Sequence, residues 1–149
     1  MTRIAPAMRD FATRLIVHDA CENRTPKGKT PSAFPVPERL RPSLVALMGS
    51  GGFHALLARA LALARTEVSW LSAVTLNPDG TLGGLGELHA DLGPEKFLEG
   101  RVVLLAQLLG LLVAFIGEDL TLRLVREIWP DVMLEGLDLT HKVKNEKTN

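Results

Sequence analysis

The chain contains no tyrosine, a single cysteine and no surplus of charge of either sign. Each shortage removes a class of protein. A lone thiol, Cys21, has no intramolecular partner, which excludes the disulfide frameworks of small secreted domains. Seventeen Lys and Arg stand against seventeen Asp and Glu, so no overall field draws the protein to nucleic acid or to an anionic membrane. The first eleven residues carry Arg3, Arg9 and Asp10 in place of the apolar stretch of a secretory signal, and the expectation is a cytoplasmic protein. No apolar run reaches the length of a spanning helix. The longest, residues 102–116, is interrupted only by Gln107 and would extend roughly 22 Å as a helix, short of the ~30 Å of bilayer hydrocarbon.

What is present is the material of a packed helical domain. Hydrophobic residues make up 46% of the 149 and charged residues 23%, and a chain of this length can bury roughly 70% of the surface it exposes when unfolded. Leu and Ala dominate, and both are strong helix formers. The fold class expected is therefore mainly all-α: a compact bundle of about five helices around a central apolar helix, in one domain over residues 1–134 with a charged tail over 135–149.

The periodicity supports this. Met8, Phe11, Ala12, Leu15, Ile16 and Ala20 recur at steps of three and four, which predicts an amphipathic helix from about Pro6 to Cys21. Four prolines between 22 and 37 predict a loop, pinned to the core by Phe34 and Val36. A short helix is expected over residues 38–48, with Pro42 tolerated near its first turn, stopping at Gly49-Ser50-Gly51-Gly52. Phe53, Leu56, Leu57, Ala60, Leu61, Ala64 and Val68 form the next helical stripe, with Arg59 and Arg65 opposite. Residues 72–76 and 81–83 flank Asn77-Pro78-Asp79-Gly80 and predict a small β-hairpin. After one helical turn near 85–92, Gly93-Pro94-Glu95 marks the start of the central helix. Its apolar phase runs through Leu112, Ile116, Leu120, Leu124 and Ile128, leaving open whether the chain breaks or only kinks at Gly117.

Chemistry-bearing motifs are sparse. Gly28-Lys29-Thr30 resembles the end of a phosphate-binding loop, but Asn23 stands where the first glycine belongs and Pro31 blocks the helix that should follow. Gly49-Ser50-Gly51-Gly52 reads as an interhelical turn in preference to an anion cradle. His18, Cys21 and Glu22 share one face of the first helix and are the only candidate metal ligands, short of a full zinc set because His54, His89 and His141 lie in other segments. Glu87, His89 and Asp91 read as a solvated cluster beside the hairpin. No nucleophile stands with a base and an orienting group, so the reading is against an enzyme and includes no cofactor. Trp70, Trp129, Phe53 and Phe115 are the candidate contact residues, since large aromatics serve interaction hot spots as well as cores.

The stretch from Leu104 to Glu118, continuing through Leu124-Val125-Arg126 and Trp129-Pro130-Asp131, resembles a group of uncharacterised bacterial proteins, and the similarity extends back through residues 53–64 and the Asp79-Gly80 turn. That resemblance implies a bacterial source and no particular activity.

The functional expectation is a protein-protein interaction or regulatory module, self-associating or bound to another protein, motivated by more apolar surface than a short bundle readily hides. Two alternatives stand beside it. One is a sensor holding a small apolar ligand between the central helix and the Phe53 helix, and the other is a membrane-active protein that releases an apolar hairpin from residues 102–129.

Overall fold

The computed structural model describes residues 6–22, 35–78 and 80–132. The Gly28-Lys29-Thr30 motif, Phe34 and most of the proline-rich segment, and the charged tail lie outside them. The described chain runs α1 (Pro6–Glu22), α2 (Pro35–Arg65), a 3-10 segment (Ser69–Ala73), β1 (Thr75–Leu76), β2 (Leu82–Gly83), α3 (Leu85–Leu92), α4 (Pro94–Ile116) and α5 (Glu118–Ile128). It is mainly all-α, as the composition implies.

Helix α4 is the axis of the molecule and packs against α1, α2, α3 and α5. Residues 102–109 are buried on every side, which is what a helix with no polar stripe demands. The α1 stripe of Met8, Phe11, Ala12, Leu15 and Ile16 is buried, as its spacing requires. Fully burying a side chain of Leu or Phe size contributes roughly 1.5–3 kcal/mol, so these rows supply most of the cohesion.

Helix α2 departs from the sequence reading at both ends. It starts at Pro35, inside the segment expected to be loop, because prolines at the first turn remove only amides that have no helical acceptor. Pro42 consequently sits in the helix interior on an exposed face, where it deletes the hydrogen bond to the Glu38 carbonyl. The helix is broken once, at Gly49, whose φ of 84° and ψ of 161° are non-helical and accessible almost only to glycine. Helix resumes directly after it at Ser50, three residues sooner than the stripe from Phe53 suggests.

The chain from α2 to α3 is pinned by side chains. Arg65 Nη2 donates to the Val74 carbonyl at 2.9 Å and Arg65 Nε to that of Leu71 at 3.3 Å, which holds the 3-10 segment where extended structure was expected from residue 72. The hairpin itself forms, with Thr75 opposite Gly83 and Leu76 opposite Leu82. Helix α3 has eight residues, longer than the single turn anticipated. At Gly117 the chain breaks: φ is 95° and ψ 158°, and the amide still bonds to the Val113 carbonyl at 2.9 Å. Thr121 Oγ1 donates back to the Gly117 carbonyl at 2.7 Å, securing the first turn of α5.

Three polar clusters lock the helices together. In the first, Asp19 Oδ1 accepts from Trp129 Nε1 at 2.8 Å and from Arg39 Nη1 at 2.9 Å, while Arg39 Nη2 donates to the Ile128 carbonyl at 3.2 Å and the guanidinium lies 5.2 Å from the Trp129 ring centre. That joins α1, α2 and the end of α5. In the second, Glu67 accepts from Arg9 Nη2 at 2.9 Å and from Gln107 Nε2 at 3.3 Å, which gives the one polar residue of the apolar run its partner. In the third, Trp70 stacks on Phe97 with ring centres 5.8 Å apart, and Arg101 covers the same Phe97 ring at 4.7 Å. Burial lowers the pKa of Arg101 from its usual value, yet a guanidinium starts so high that it stays cationic.

Candidate functional site

The cover over α4 ends at Gly110. From Val102 to Leu109 every side chain is enclosed, but beyond Gly110 in α4 only Leu112 is buried, Leu111 and Val113 are half-buried, and Ala114 and Phe115 are exposed. The expectation of a central helix buried along its whole apolar length therefore fails in its last turn and a half. The reason is geometric. Past Gly110 the second half of α2 and the end of α4 do not close on each other.

Between the two helices this leaves an open groove of about 460 Å³. Helix α2 contributes Met48, Gly52, Ala55, Leu56 and Arg59, and α4 contributes Leu111, Ala114 and Phe115. Steps of three and four put Gly52, Ala55, Leu56 and Arg59 on one face of the second half of α2, and Leu111, Ala114 and Phe115 on one side of α4, while Met48 joins them from before the Gly49 break. Gly52 and Ala55 form a floor low enough to make a trough, and a Cβ on Gly52 would come within 3.2 Å of Met48 Cβ and Cγ. Phe115, 66% exposed, stands at the rim, and Leu47 nearby in sequence is 47% exposed. Among the described residues Arg59 is the only charged one of the lining, and it makes no ion pair with another of them.

The four candidate contact residues separate. Phe53 and Trp129 are 2% and 0% exposed, so their surface is already spent on the core. Trp70 is half-buried over the glycine notch at Gly100, whose absent side chain makes room for the indole. Of the four only Phe115 is exposed, and it lies in the groove. His18 is half-buried on α1, while the side chains of Cys21, Glu22 and His89 lie outside the described set. No group of three metal-ligating side chains occurs among the described residues. Glu87 and Asp91 face solvent.

Comparison with models of protein families, with curated proteins and with solved structures finds no match.

By length and composition alone, α2 from Val36 to Arg65 and the whole of α4 are long and apolar enough to cross a membrane. At 23 residues α4 measures about 34 Å, longer than its apolar run suggested, although its first two turns carry Glu95, Lys96, Glu99 and Arg101. In this fold 56% of its apolar window is buried against 28% for α2, so α2 is the less covered of the two.

Proposed function

We propose that the protein is a non-enzymatic interaction module whose contact face is the groove between the second half of α2 and the end of α4. The observation that carries this reading is Phe115 at 66% exposure beside a trough lined by Leu56, Met48 and Leu111. Apolar side chains left singly on a surface are ordinary, but a concave set with an aromatic anchor at its rim is the composition of a binding hot spot. Its floor of small residues lets a partner backbone come close, and the absence of a field around a neutral chain makes shape and apolar burial the source of specificity.

The sensor reading draws on the same groove, whose volume falls within the range of small-ligand sites, roughly 300–1,000 Å³. Its open side favours a macromolecule, because a small ligand there would keep one flank in water whereas sites for such ligands enclose most of the molecule.

A neutral solvatochromic dye such as Nile red tests the reading. The wild-type chain is expected to bind it, and Phe115→Ser is expected to lose most of the signal while its unfolding midpoint stays the same. Dye binding unchanged by Phe115→Ser, or none in the wild type, would refute the groove as a contact face.

A further inference from the structure

Resting on that contact face, we infer that its occupant is an amphipathic helix of another protein, carrying a carboxylate that pairs with Arg59. Three features of the groove point to this partner. Its walls are two α-helices, so it offers no strand edge for an extended peptide to extend. The only sheet among the described residues is the two-residue pairing of β1 and β2, which contributes nothing to the lining. What remains is side-chain packing, and a helix laid between two helices buries its apolar row into their ridges. Helix α1 already packs against both α4 and α2, and among the described residues no helix covers the groove at the end of α4.

Charge decides the rest. Among the described residues Arg59 is the sole charge in an otherwise apolar lining, and it has no ion pair with another of them. A partner that covered it with apolar side chains would strip water from a guanidinium and return nothing, which is costly. A carboxylate at that position compensates the desolvation and fixes the register of the docked helix. A second copy meeting this face in the isologous manner would bring the same surface against itself. It would set Arg59 against a lining whose described residues include no carboxylate. Gly52 and Arg59 lie about 10 Å apart along α2, so the row that matches them spans two helical turns, with Phe115 as the anchor across the groove.

The test uses the full chain as bait for a displayed library of amphipathic helices of about five turns, with the apolar face and the two flanking rows randomised. Enrichment of Leu, Met or Phe at i, i+3 or i+4 and i+7, together with Asp or Glu at one flanking position, is the expected result. Enriched helices should lose about 30-fold in affinity against Phe115→Ser. Arg59→Glu should weaken them about tenfold, and replacing their carboxylate with Lys should restore binding to that variant. Helices that need Phe115 but ignore Arg59→Glu would leave the contact face standing and overturn the acidic partner. Binders indifferent to both substitutions would overturn both proposals. Self-association of the wild-type chain abolished by Phe115→Ser, or Phe115-dependent sedimentation with anionic vesicles in the absence of any helical binder, would replace the inferred partner with a second copy or a lipid surface.

Discussion

Two glycines in the same helix should respond to alanine with opposite signs. Gly100 and Gly110 both lie inside α4, so on local grounds each Gly→Ala change should stabilise the helix by about 0.5–1 kcal/mol. Their surroundings differ. A Cβ on Gly110 meets nothing within 4 Å, whereas one on Gly100 would lie 2.7 Å from Trp70 Cη2, 2.8 Å from Cε2 and nearer still to Cζ2. Real side chains do not approach so closely, and the indole cannot swing aside freely because it stacks on Phe97, which Arg101 covers from elsewhere. Overpacking of this kind costs about 1–3 kcal/mol or more. After the helix gain is subtracted, Gly100→Ala should be destabilised by about 1–2 kcal/mol and Gly110→Ala stabilised by up to about 1. Urea unfolding followed by far-UV circular dichroism measures both, and in a domain of this size each kcal/mol moves the thermal midpoint by about 2–4 °C. Trp70→Leu in the Gly100→Ala background should recover part of the loss, since it removes the clashing ring. If Gly100→Ala proves as stable as Gly110→Ala, the seat of Trp70 in the Gly100 notch is refuted.

Asp19→Ala should cost about 2–4 kcal/mol, because it strands the Trp129 indole and an Arg39 side chain that is 31% exposed and so recovers some solvation. Trp129→Phe keeps most of the ring and loses one buried hydrogen bond, for about 1–2 kcal/mol, in the same urea assay. Gly117→Ala should cost about 1–3 kcal/mol for purely conformational reasons, as nothing lies within 4 Å of the added methyl; a neutral result by thermal melting would contradict the break between α4 and α5. Phe115→Ser should leave stability within about 0.5 kcal/mol of wild type, since two thirds of its side chain already meets water.

Much of this architecture was legible in residue spacing. The α1 stripe, the Gly93-Pro94-Glu95 start and the Asn77-to-Gly80 turn are local signals, and local signals survive into the fold. The 3-10 segment was not legible, because what holds it is tertiary: Arg65 reaching two carbonyls and Trp70 dropping into a notch made by Gly100, thirty residues on. Pro35 and Pro37 were read as loop because proline breaks a helix everywhere except at its first turn, and only the fold shows which turn is first. The groove was half visible. A helix apolar on every side looks the same in sequence whether neighbours enclose it fully or stop one turn early, so Phe115 could be named as a contact candidate but not told from Phe53. Arg59 was placed opposite the buried stripe, which is right. That the same outer flank would border half-buried Leu111 and exposed Phe115 depends on how the Gly49 break aims the second half of α2.

The central claim is that the groove stands open in the isolated chain. Solvent paramagnetic relaxation measured on methyl and aromatic protons tests it at each side chain. A soluble paramagnetic probe should broaden Phe115 strongly, Met48, Leu56 and Leu111 to an intermediate degree, and leave Leu104, Leu105 and Leu108 sharp. Protection of Phe115 and Leu111 equal to that of Leu104 would mean that the groove is already filled, and would contradict the account.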